Sequence, residues 1–174
     1  MKFIIAIVAI IIIVIAAFLG IWLFSRPGGG YNSWVFKGAY ANYEGQTSVA
    51  GYNMNMTVHE EVLDFNSTHA EMFTTLTMDM GIVAPYTYNY TSWVNITQFD
   101  TFNFTGGNLT RSYDTTVKLD NLGTRNCIAY EYSTNGVTMT MYVDKTVNFP
   151  VEFIMAYEGY NFDITLVSTN IPGL

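Results

Sequence analysis

The side chains able to do chemistry are few and scattered. His59 and His69 are the two histidines and Cys127 the one cysteine among 174 residues. No G-x-S-x-G, H-E-x-x-H or phosphate-loop pattern accompanies them, so nucleophilic, zinc-hydrolytic and phosphoryl-transfer chemistry all lack their parts. Gly28-Gly29-Gly30 has no strand before it and no helix after it, which makes it a hinge and not a phosphate cradle. Cys127 sits in an alternating apolar run and reads as a small buried hydrophobe. His59 and His69 flank a turn at Asp64–Thr68 where they could face each other. With no defined carboxylate partner they read as surface residues. The chain is expected to be non-catalytic, with no metal and no cofactor.

Two other patterns carry chemical meaning. Asn55, Asn66, Asn89, Asn95, Asn103 and Asn108 each begin an N-x-S/T sequon, none with proline in the middle. Each is a candidate acceptor for a bulky, solubilising surface glycan. Met54-Asn55-Met56, Met78-Asp79-Met80 and Met139-Thr140-Met141 are M-x-M units. On a strand, residues two apart share a face, so each unit aims two soft thioethers the same way. Thioethers select Cu(I). They also fill irregular cores, and the alternation around them points inward, so core packing is the favoured reading. A face lined by Met54, Met56, Met72, Met78, Met139 and Met141 could also hold an apolar ligand such as a lipid tail, with an ordinary packed core still the favoured reading.

The elements that carry these residues are strands. Tyr52, Met54, Met56 and Val58 alternate with Asn53, Asn55, Thr57 and His59, the amides outward. Ala70, Met72, Thr74, Leu76 and Met78 form the inward face of a partner strand. Gly81 and Pro85 end it. Residues 86–109 read as a strand pair with an irregular connection. A strand from Leu109 to Leu119 follows, then a turn at Asn121-Leu122-Gly123. Ile128, Tyr130 and Tyr132 then alternate with Cys127, Ala129 and Glu131. Asn135-Gly136 accepts the positive φ of a tight hairpin turn. Val137, Met139, Met141 and Val143 share the next face. Val151–Glu158 and Tyr160–Ser168 are the last strands. The expected fold is all-β and mainly antiparallel: one curved meander of about eight to ten strands, half-barrel or sandwich-like.

Ahead of the sheet, Phe3–Phe24 carries no charge. As a helix with a rise of about 1.5 Å per residue it would span roughly 33 Å, enough for a bilayer core of about 30 Å. It is longer than a cleavable signal's apolar core and no A-x-A site follows, so an uncleaved transmembrane helix is expected, with the lipid bilayer as partner of residues 3–24. The domain plan is a signal-anchor over 1–25, a flexible linker over 26–33, and a β domain over 34–174. All fourteen acidic residues lie beyond the anchor, which argues against nucleic acid and against anionic membrane surfaces. One cysteine allows no internal disulfide. Sugar transfer on the sequons would place the carboxy-terminal domain outside the cell and the amino terminus in the cytoplasm.

The hairpins from Cys127 to Leu166 also carry a family likeness. Ala129-Tyr130-Glu131-Tyr132 leads to Met141-Tyr142-Val143-Asp144-Lys145, then Phe149-Pro150-Val151-Glu152-Phe153 and a last strand ending at Thr169-Asn170. This resembles the carboxy-terminal hairpins of LolA/LppX-like lipoprotein-carrier domains. The resemblance implies an antiparallel sheet curled into a half-barrel around lipid. In layout the chain also resembles the singly anchored, sequon-bearing surface proteins common in archaea. The expected roles are binding or surface structure, carriage of an apolar ligand or lipid, and self-assembly through an edge strand.

Overall fold

The computed structural model describes residues 34–49, 52–95, 108–134, 137–157 and 160–174. The leading apolar segment, the linker and Asn103 lie outside them. Nine strands form one antiparallel sheet: β1 (Tyr40–Val49), β2 (Tyr52–Phe65), β3 (His69–Asp79), β4 (Tyr86–Asn95), β5 (Asn108–Leu119), β6 (Gly123–Thr134), β7 (Val137–Asp144), β8 (Phe149–Tyr157) and β9 (Tyr160–Thr169). Their order across the sheet is β4-β3-β2-β1-β9-β8-β7-β6-β5. There is one layer, not a sandwich.

Alternation decides which residues face where. In β3 every second residue is buried, from Ala70 through Met72, Thr74 and Leu76 to Met78. Direct partners across strands share a face, so the register Met141–Phe153–Ile164–Gly45–Met56–Met78 draws one apolar row over six strands. This methionine face also holds Val58, Val62, Tyr43, Leu166, Met139 and Met155, all buried. Trp34 packs edge-on against Phe149 at 5.6 Å between ring centroids and joins the same core. The opposite face carries Glu44, Thr57, Tyr142, Glu152 and Thr165 and is polar there, while over β5 and β6 it also buries Val117, Leu119, Cys127 and Ala129.

The sheet is strongly bent. Four interstrand steps of about 4.8 Å would hold β5 and β9 roughly 19 Å apart in a flat sheet. Instead Asn121 Nδ2, in the turn after β5, reaches the Val167 carbonyl of β9 at 3.5 Å. Register shifts next to Tyr43, Val62, Leu109 and Tyr142 mark bulges, which add local bend and twist. The β7–β8 turn is held by Asp144, buried, whose carboxylate accepts from the Thr146 and Val147 amides at 2.8 and 2.9 Å. Asn148 completes that turn at φ 52°, the left-handed region that asparagine tolerates.

Residues 86–109 depart from the expected strand pair. They supply β4 at one edge of the sheet and the start of β5 at the other, and residues 96–107 between them are not described. β8 begins at Phe149, two residues before the expected start. The hairpin register Thr134–Val137 brackets the expected two-residue turn.

Candidate functional site

The site is built from the methionine face and the polar residues set into it. Met54, Met56, Met72, Met78, Met139 and Met141 all lie on that face and all are buried. They fall in two groups, four on β2–β3 and two on β7, with β1, β9 and β8 between them. No trio of His, Cys, Asp or Glu among the described residues is arranged to hold a metal ion.

One polar row crosses this apolar field. Glu60 of β2 pairs with Thr74 of β3, which pairs with Tyr90 of β4. Glu60 is 2% exposed and Thr74 fully buried, while Tyr90 is half-buried near the sheet edge. Neither Glu60 oxygen has a hydrogen-bond partner. The Thr74 hydroxyl stands beside the Tyr90 phenol, without the geometry of a formed hydrogen bond. Burial pushes the Glu60 carboxyl up to about 8, with no neighbouring charge contributing. At neutral pH it is therefore mainly an uncharged acid that can both donate and accept. Beside Glu60 lies a cavity of about 10 Å³ bounded by Trp34, Ala41, Val62, Met72, Phe149 and Ile171. That is room for about one water molecule.

Glu60 is not among the expected site residues, yet its position in the sequence carries a signal. It sits two residues after Val58 and two before Val62, on the inward parity of β2. The histidines do not face each other. His59 pairs across with Thr75 and hydrogen-bonds Asn42 Oδ1 at 2.6 Å through Nδ1. His69 pairs with Asn95.

The polar face holds a second group of titratable residues. Glu152 lies opposite Thr165, and burial, then the nearby Asp163, raises its carboxyl to about 7. Burial likewise raises Asp163. Tyr142 is pushed up to about 12 by burial, then by Tyr113 and Glu152. Alongside runs an open cleft of about 570 Å³ lined by Glu44, Gln46, Thr57, Lys118, Asp120 and Thr165. Cys127 is buried, and desolvation followed by Asp144 lifts its thiol to about 11, so little thiolate exists at neutral pH.

Of the sequon asparagines, Asn55, Asn66 and Asn89 are exposed. Asn66 Oδ1 accepts from the Thr68 and His69 amides at 2.8 and 2.9 Å, which fixes the β2–β3 turn. Asn95 ends β4 and Asn108 begins β5.

No protein-family model matches the sequence, and no curated protein does either. Among solved structures the chain is similar to an outer membrane lipoprotein-sorting protein domain from Vibrio parahaemolyticus, at a TM-score of 0.34 and 10% identity, over 79% of this chain and 87% of that one. It is also similar to a DUF1329 family protein from Desulfovibrio piger, at a TM-score of 0.34 and 8% identity, over 82% and 89%.

Proposed function

We propose that this protein is a membrane-tethered, N-glycosylated β domain on the cell surface. It holds the aliphatic part of a ligand against its methionine face and catalyses nothing. One observation carries this reading: a single bent sheet commits a whole face, across eight of its nine strands, to apolar side chains, several of them unbranched and adaptable. The apolar tract at residues 3–24 supplies the tether, and the exposed Asn55, Asn66 and Asn89 supply glycan acceptors.

The test is ligand capture by the full-length protein, extracted in mild detergent. Organic extraction followed by mass spectrometry is expected to release a co-purifying amphiphile. The emptied protein is expected to bind an environment-sensitive long-chain fluorescent probe saturably. Absence of saturable binding would overturn the carrier reading.

Assembly through a sheet edge is a second reading, with its own support. Among the described residues β4 pairs on one side only, and Tyr86, Tyr88 and Trp93 stand 52%, 42% and 50% exposed along it. An unpaired, apolar edge is a template for another chain. Concentration-dependent oligomers that a Thr91→Pro change dissolves would favour this reading; a monomer at all concentrations would remove it.

A further inference from the structure

The row formed by Glu60, Thr74 and Tyr90 has no task in holding the sheet together. Backbone pairing of β2, β3 and β4 is complete without it, and valine or leucine at positions 60 and 74 would match their neighbours on the same face. As built, the two Glu60 oxygens lack partners, and the Thr74 and Tyr90 hydroxyls stand beside each other without the geometry of a formed hydrogen bond. Buried polar atoms left this way are costly, so each calls for a partner such as an ordered water, an ion or a ligand group. The row runs from Tyr90, near the open edge of the sheet, inward to Glu60 beneath Trp34. Tyr90 is half-buried, but its hydroxyl, like the rest of the row, is shielded from solvent. Val58 and Leu76 flank the Glu60–Thr74 pair on one side and Val62 and Met72 on the other.

We propose that Glu60, Thr74 and Tyr90 form the polar end of the apolar site and take an uncharged, oxygen-bearing head group, a hydroxyl or ester on a long aliphatic chain. This rests on the ligand-holding reading above and names the ligand class for the same site. An uncharged head is favoured for two reasons. No charged side chain except Glu60 lines the cavity, so a phosphate or carboxylate would find no counter-charge. The domain's acidic surplus repels anions as well. The carboxyl itself is held in its neutral form by burial, so it meets a neutral oxygen as donor and acceptor without the cost of burying an ion. Open room beside Glu60 is only about 10 Å³. Entry of the head group therefore requires Met72 to change rotamer, which a flexible, unbranched side chain does at low cost.

The experiment uses the emptied full-length protein in detergent and one saturated chain bearing in turn a hydroxyl, a glycerol ester, a carboxylate and a quaternary ammonium. The hydroxyl and ester ligands are expected to bind at least about ten-fold tighter than the two charged ones, the worth of one good hydrogen bond. Glu60→Gln keeps a neutral donor and acceptor and is expected to retain that ranking. Glu60→Leu combined with Thr74→Val is expected to erase it while the chain still binds. Tightest binding of the ammonium ligand, lost in Glu60→Gln, would overturn the proposal in favour of a cation site. Equal, saturable binding of all four heads by the wild type would overturn the proposal and leave the apolar site standing. No saturable binding of any would remove both. Should the double variant fail to fold, the wild-type ranking and the Glu60→Gln ranking decide the question.

Discussion

Glu60 makes the molecule's stability depend on pH in an unusual direction. Its carboxyl titrates near 8 in the folded state against an ordinary value of 4.5. Between those values the folded chain keeps a proton that the unfolded chain has released. Stability therefore falls as pH rises through that window, by up to about 1.4 kcal/mol per pH unit, and levels off above it. Glu152, raised to about 7, acts with the same sign over a narrower range. Denaturant unfolding of Glu60→Met at several pH values is expected to show a shallower slope than wild type, with the Glu152 share remaining. At acidic pH the same variant is expected to gain about 1–3 kcal/mol, because it removes a buried group without a partner. An unchanged slope would place the titration elsewhere. Glu60 was readable from its parity alone, as an acid on an inward position between two valines. Its isolation was not readable, because that depends on which residues of β1, β3 and β4 come to lie around it.

At the scale of strands, the close contact between β1 and β9 at Gly45 leaves no room for a side chain. Gly45 pairs with Ile164, and a Cβ added there would collide with the Asp163 carbonyl oxygen and crowd the Ile164 side chain. Gly45→Ala is expected to cost about 1–3 kcal/mol by forcing the two strands apart. A lower denaturant midpoint with an unchanged slope would show it, and a wild-type midpoint would mean the strands separate freely.

The individual strands were legible because burial on one face imposes a period of two that nothing else in the chain mimics. Met54-Met56-Val58 and Ala70-Met72-Thr74-Leu76-Met78 are the clearest instances, and both fall where the alternation placed them. The pairing of β1 with β9 was not legible. It joins residues more than a hundred positions apart, and no local pattern reports a partner at that distance. The segment 86–109 misled for a related reason: its aromatic alternation, Tyr86-Tyr88-Tyr90, marks a strand but not the edge it occupies. Tyr86 and Tyr88 share the methionine face by register, yet stand exposed because β4 is the last strand on that side.

At the scale of the whole molecule, the proposed tether and the proposed glycans lead to two expected outcomes. Fractionated cells should retain the full-length chain with membranes, released by detergent and not by high salt. Its intact mass should exceed 19.6 kDa by whole sugar units, and Asn66→Gln should remove one such unit. Recovery from the cytosol at the bare mass would overturn the surface assignment.

The strand order has a further consequence. Asn170 ties the end of β9 to the start of β1, its side chain bonding the Gly38 carbonyl and the Tyr40 amide at 2.8 Å each. The first and last strands of the sheet along the chain thus meet at mid-sheet, while β4 and β5, consecutive along the chain, stand at the two extremes. Splice Asn170 to Gly38 through a short linker, open the polypeptide anywhere from 96 to 107, and every strand would neighbour its successor from β5 round to β4. The natural gene is in effect a simple zigzag rotated by half its length. Two separately produced pieces, 34–95 and 108–174, are therefore expected to recombine into one sheet on mixing, seen as recovery of the near-ultraviolet circular dichroism that neither piece shows alone.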